Sequence, residues 1–161
     1  MSGTIGQQFN DRVRTRCPGL RVDAVLHRGD KAVLLAGVLD GVDVVAKLLT
    51  TDAGRFWRAR FIAEIDTYLA FQVAPPPVPA PRLLVADPDA GLLVATRLPG
   101  EPVARGRYPT RLGTAGAAPL LRAVRDLRAW SAPQGLFPVV WDYPYRFGRY
   151  RTDHGLIDGR D

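Results

Sequence analysis

The sequence predicts an α+β fold: an antiparallel five-stranded sheet carrying one packed helix, followed by a partial helical second region. Three observations lead there. Short Val- and Leu-rich runs cut by turn signals occupy residues 20–49 and 82–97, the spacing of strands joined by hairpins and short loops. A single stretch of helical period, residues 52–72, lies between those two groups. After Pro102 the strand character ends, and Ala118–Trp130 reads as an amphipathic helix.

Taken in order, Thr4–Arg16 carries Ile5, Phe9 and Val13, an i, i+4, i+8 stripe that predicts a short helix, and "CPG" at Cys17–Gly19 stops it. Strands are predicted around Val22–His27, Ala32–Val38 and Val42–Leu48. The turn "RGDK" joins the first two, and Asp40–Gly41, a type I′ signature, joins the second to the third. A three-stranded antiparallel meander is the expected result. In the helix that follows, Trp57, Phe61, Ile65, Tyr68 and Leu69 form one broad apolar face, with Thr51 or Asp52 placed to cap it. "APPPVPAP" at Ala74–Pro81 must be extended, since neither a helix nor a sheet ladder accommodates that density of proline. Strands at Arg82–Ala86 and Leu92–Arg97 flank the turn "DPDAG", and "PGEP" at Pro99–Pro102 ends the second. In the later helix, Leu120, Leu121, Val124, Leu127 and Trp130 share one side. An aromatic, proline-spotted stretch follows from Ser131, with "WDYPYRFGRY" read as helical from Tyr143. The organisation expected is a sheet-plus-helix unit over residues 1–99 and an incomplete helical unit over residues 100–161.

Composition narrows the function classes. At 161 residues, 47% hydrophobic and 24% charged, the chain has apolar mass for a true core. Cys17 is the only cysteine, which excludes a disulfide framework and a thiolate metal cluster. The first twenty residues contain no apolar core of a secretory signal, and no apolar run approaches the roughly 18 residues of a membrane span. A cytoplasmic setting and no membrane partner are expected. The net charge of +6 raises the question of nucleic acid, but the basic residues are scattered, and the densest group, Arg146, Arg149 and Arg151, is short. They read as a solvated surface, and nucleic acid is not the partner expected. Lysine occurs only at Lys31 and Lys47, and glutamate only at Glu64 and Glu101, so arginine supplies twenty of the 22 basic residues. Positions that keep Lys or Glu against this bias draw attention.

Lys47 lies in "VVAKLL", near the end of an apolar strand, and alternation is read to put it on the face opposite Val45 and the neighbours of Leu48. An ammonium in such a strand is paired or faces a cleft. At about 100° per residue, Glu64 projects among Trp57, Phe61 and Tyr68, where a carboxylate is costly without a cation. Each residue answers the other's requirement if the helix packs on the sheet and Glu64 meets Lys47. His27 is expected to be a solvated strand-end residue, and Cys17 has no visible base or metal partner.

"DGVDVVAKLL" followed by "FIAEIDTYLAF" resembles the third-strand lysine and αC glutamate of the protein-kinase-like fold. More closely, with "VPAPRLLVADPDAGLLVATRLPGEPV", the chain resembles the aminoglycoside phosphotransferase family of small-molecule kinases, well over residues 20–103 and loosely over 118–150. The resemblance implies a kinase-like small lobe with an αC-like helix and the start of a second lobe. It implies that Lys47 holds the α- and β-phosphates of ATP and that Glu64 fixes the ammonium. The turn containing Arg28, Gly29 and Asp30 would cover the phosphates, although Gly29 alone stands where protein kinases have G-x-G-x-x-G. Thr96, Arg97 and Leu98 would be the hinge that offers backbone groups to adenine. The complete protein would transfer the γ-phosphoryl of ATP to a hydroxyl of an aminoglycoside-like or other small substrate.

The family also needs a base and magnesium carboxylates, from an H-G-D-x-x-x-x-N loop and a later I-D-W/F-x-D segment. Here His154–Gly155 precedes Leu156, position 161 is Asp, and the sole asparagine is Asn10. "IDGRD" starts three residues after His154, too close to place a base and a metal ligand on opposite sides of a phosphate. His154 and Asp158 are therefore expected to be surface residues, with the Mg2+ ligands outside this chain, and the chain alone is expected to lack turnover. An alternative is a non-catalytic interaction module of the same fold that docks or dimerises through Leu120–Trp130 and Trp141–Phe147.

Overall fold

The structure is a computed structural model that describes residues 11–50, 53–100 and 114–130. Its centre is one antiparallel sheet of β1 (Leu20–Arg28), β2 (Ala32–Leu39), β3 (Val42–Leu49), β4 (Leu83–Asp87) and β5 (Leu92–Thr96), in the order β1-β2-β3-β5-β4. Helix α1 covers residues 11–16, α2 is Arg55–Val73 and α3 is Thr114–Ala129. The α+β class, the five antiparallel strands and the meander are as the sequence predicts. None of the helices described is long and apolar enough to cross a membrane.

The meander is set by its turns. Asp40 and Gly41 both take positive φ, 50° and 81°, the backbone that a two-residue type I′ hairpin requires. That turn fixes Leu39 opposite Val42, and the register then runs unbroken to Ala32 opposite Leu49. β1 pairs less regularly, with shifts between Val22 and Ala24 and between Val25 and His27. In the β4–β5 turn the Asp87 carboxylate accepts the Ala90 N–H at 2.8 Å, and Gly91 takes φ 65°.

Alternation divides the sheet into two faces. Val33, Leu35, Val44, Ala46, Leu48, Leu92 and Val94 point one way and pack with Val13, Cys17 and Leu20 in the larger core. α1 covers this face: Val13 is fully buried, and Arg12 donates to the carbonyls of Leu49 at 3.1 Å and Ala90 at 2.6 Å. Leu49 and Leu93 point the other way and pack with Phe61 and Ile65 of α2. Lys47 belongs to this second face, because it shares the parity of Val45 and Leu49. The expectation that it lies opposite Val45 is thus corrected: residues two apart on a strand share a face.

Two details of the helices also differ from expectation. α2 begins one turn later than predicted, at Arg55, with Gly54 as an N-cap that makes no side-chain bond; Thr51 and Asp52 lie outside the described residues. Its buried residues are Phe61, Ile65 and Ala70, with Tyr68 half-buried, whereas Trp57 and Leu69 are 37% and 48% exposed. The helix carries apolar residues around its whole circumference, so the pattern did not phase it. α3 begins at Thr114, upstream of Ala118, with Pro119 inside it. Its Leu120, Leu121, Val124 and Leu127 are exposed, and the Trp130 ring that follows stands 6.3 Å from Phe71 of α2. The expected helix from Tyr143 and the "HGLIDGRD" residues lie outside the described residues.

Candidate functional site

α2 covers only one end of the second sheet face. Its core contacts are with Leu49 and Leu93, at the end where β3 stops. Between this end of the sheet and α2, from Trp57 to Phe71, lies a cleft of about 550 Å3. Lys31, Ala32, Lys47 and Leu49 form its sheet wall; Trp57, Arg60, Phe61, Glu64, Thr67, Tyr68 and Phe71 form its helix wall. That volume falls within the range of small-molecule sites, and its lining, apolar with a few convergent charges, is of the same kind.

Lys47 and Glu64 meet across this cleft, the Lys47 ammonium donating to Glu64 Oε2. Their side chains are 25% and 32% exposed, so the pair is partly dry but open on one side. The ammonium carries three donors and so has N–H groups beyond the one given to Glu64. One helical turn before Glu64, Arg60 lies over the rings of Phe56 and Trp57, 5.7 and 5.1 Å from their centroids. One turn after it, burial raises the Tyr68 hydroxyl pKa and the Glu64 carboxylate raises it further. Cys17 is held protonated chiefly by burial, on the far side of the sheet within the α1 core.

The other expected site residues lie around the cleft rather than in its wall. Arg28, Gly29 and Asp30 form the β1–β2 turn, where the Gly29 N–H donates to the Ala32 carbonyl at 3.0 Å. Thr50 ties this turn to the end of β3: its hydroxyl donates to the Asp30 carbonyl at 2.9 Å and its N–H to the Lys31 carbonyl at 3.0 Å. Lys31, the next residue, reaches the cleft wall. Thr96, Arg97 and Leu98 leave the sheet at the other end of β5, where Thr96 stands opposite Val44. That position is three residues from Lys47, about 10 Å along the strand. Two of their three N–H groups are already engaged, Thr96 with the Arg82 carbonyl and Arg97 with the Asp43 carbonyl, both at 2.9 Å. Val45, between Lys47 and this exit, and Leu34, opposite Lys47 on β2, are half-buried apolar residues on the Lys47 face.

The residues that sequence reasoning left out of the site are Arg60, Trp57 and Phe71. Arg60 was detectable, since its i, i+4 spacing to Glu64 puts it on the same helix face. Among the described residues, no group of three or more His, Cys, Asp and Glu side chains could hold a metal ion. Neither a protein-family model nor a curated protein matches this chain.

Proposed function

We propose that residues 20–99 are the nucleotide-binding lobe of an ATP-dependent small-molecule phosphotransferase, similar to the aminoglycoside phosphotransferases. The observation that carries this reading is the Lys47–Glu64 pair, presented on a cleft wall by a strand and the helix that follows it. A lysine whose ammonium is held by one carboxylate, with one side open, suits a diphosphate oxygen pair. In this reading Lys47 binds the α- and β-phosphates, and Glu64 sets the position of the ammonium. The purine lies on Leu34 and Val45, and the Leu98 N–H is the hinge donor left for it. The turn Arg28–Asp30, held by Thr50, borders the phosphates without lining the cleft wall. Magnesium would arrive with the nucleotide, its carboxylate ligands and the general base being supplied from outside the described residues. Transfer of the γ-phosphoryl to a substrate hydroxyl then belongs to the complete catalytic unit, and this chain contributes nucleotide binding. A cytoplasmic protein acting on a small hydroxylated substrate fits that role, and the scattered arginines argue against nucleic acid.

The test is titration of the full chain with MgATP, followed by amide chemical shifts. Shifts are expected at Lys47 and at Thr96–Leu98, with weak affinity on the millimolar scale, and Lys47→Ala should abolish them. If neither region moves at millimolar nucleotide, the reading is wrong for this chain.

A second reading, a non-catalytic module that docks or dimerises through helical apolar faces, is favoured by one observation. Four apolar residues of α3, Leu120, Leu121, Val124 and Leu127, are between 41% and 68% exposed. Self-association rather than nucleotide binding distinguishes it.

A further inference from the structure

We propose that α3 attaches the chain to an anionic membrane surface, with its apolar side among the lipid chains and its bordering arginines on the headgroups. The proposal is independent of the nucleotide reading and supplies the docking reading with a partner. None of the helices described can cross a bilayer, but a helix lying in the bilayer surface needs only one apolar side. α3 has one. At about 100° per residue, Leu120, Leu121, Val124 and Leu127 fall within roughly 120° of one another, and they are between 41% and 68% exposed. The side that carries the half-buried Ala123 and Asp126 leads to Trp130, whose ring meets Phe71 of α2. α3 therefore faces the molecule by this less apolar side and turns its leucines outward.

Charge identifies the partner. Arg122, Arg125 and Arg128 of α3 are exposed, whereas Asp126, the one acid in the helix, is half-buried on the side away from the leucines. Arg125 follows Leu121 by one turn and Arg128 follows Val124 by one turn, so both border the apolar strip. Arg125 also bonds the Asp126 carboxylate at 3.1 Å, and Arg122 lies on the opposite side of the helix. The leucine side thus has cations at its border and no acid. That pattern suits an anionic headgroup layer over an apolar interior, and the net charge of +6 acts in the same direction.

Other occupants fit the same face less well. A nucleic acid would use the arginines and leave four apolar side chains in water. A second copy packed leucine side to leucine side would bring Arg125 and Arg128 of both copies together with no acid between them. Protein interfaces are anchored by Trp, Tyr and Arg more than by Leu and Val, and the strip itself holds no aromatic residue. A bilayer requires no anchor of that kind. The four aliphatic side chains enter it directly, and the arginine stems extend the apolar side while their guanidinium groups stay at the phosphates.

The experiment is sedimentation of the full chain with vesicles of phosphatidylcholine, alone or mixed with phosphatidylserine. The chain should pellet with the mixed vesicles, stay in solution with phosphatidylcholine, and be released as salt is raised. Arg128→Gln should weaken binding by about fivefold, one cation's share at an anionic surface, and Leu121→Asp should abolish it. Arg122→Gln should change binding by less than about twofold, because it removes the same charge from the far side of the helix. Leu121 is 68% exposed and both arginines are exposed, so these variants should melt within about 2 °C of the wild type. Equal binding to both kinds of vesicle, or none to either, overturns the proposal. An equal loss in Arg122→Gln also overturns it, since net charge would then suffice. Self-association that Leu121→Asp abolishes would give the strip to a second copy, and RNA binding that survives Leu121→Asp would give the arginines to nucleic acid. Either result in place of vesicle binding overturns the proposal too. No nucleotide enters these measurements, so the nucleotide reading is tested separately.

Discussion

At the scale of single residues, the cleft depends on close fits elsewhere in the sheet, and Gly37 is the tightest. It stands opposite Val22 where β1 shifts register, and a methyl group on it would meet the Arg21 carbonyl oxygen at 2.2 Å, with Arg21 C and Val22 Cα at 3.1 and 3.2 Å. All three atoms are backbone, so no side-chain rotation can relieve the clash. Gly37→Ala should therefore force β1 away from β2 and destabilise the fold by about 3 kcal/mol, at the upper end for overpacking. Urea unfolding measures this, and a loss under about 1 kcal/mol would show that the β1 bulge yields instead. The Lys47–Glu64 pair follows a different rule. Its two side chains gain little over an apolar pair, but removing one leaves the other partly dry and unmatched. Under the nucleotide reading, the exposed side of the ammonium is what makes the proposed phosphate contact.

At the scale of elements, α2 positions Glu64, and two residues hold α2. Phe61 is 1% exposed and packs with Ile65 against Leu49 and Leu93, while Leu69, two turns on, is half in solvent. Phe61→Ala should cost about 3–5 kcal/mol and release Glu64 from Lys47, whereas Leu69→Ala should cost under about 1 kcal/mol. Denaturation midpoints for the two variants decide the matter, and similar losses would mean that the helix sits in a different phase. This contrast also shows what the sequence could carry. The hairpin at Asp40–Gly41, the helix between the third and fourth strands and the Lys47–Glu64 pairing were legible, because turn chemistry and the cost of a lone buried charge are local. The phase of α2 was not, since Phe56, Ile62, Leu69 and Val73 make its outer side as apolar as its inner one. Nor was the role of α1: a stripe at Ile5, Phe9 and Val13 announces a helix, but only the packed sheet shows that Val13 and Cys17 close the face opposite the cleft. Arg60 escaped notice because a charge on a helix normally means solvent, and only the cleft gives it another meaning.

At the scale of the whole molecule, the two cores lie on opposite faces of one sheet, each packed against one helix, and among the described residues both are built from residues before Thr96. Among the described residues, α3 adds none to either core, and the Trp130 ring that follows it meets Phe71 of α2. Stability should accordingly reside in the sheet with α1 and α2, while the apolar side of α3 governs association. Residues 1–100 expressed alone should unfold cooperatively, with a free energy within about 1 kcal/mol of the full chain, since among the described residues neither core loses a side chain. Sedimentation of the same two proteins separates the functional readings. Under the interaction-module reading the full chain self-associates and residues 1–100 do not, because Leu121 and its neighbours leave with α3. Under the nucleotide reading both remain monomeric, and residues 1–100 keep Lys47 and Glu64 and hence the response to MgATP. A truncated chain that fails to fold would refute the division at its root, by showing that α3 or its flanking residues close a core that the sheet and its two helices leave open.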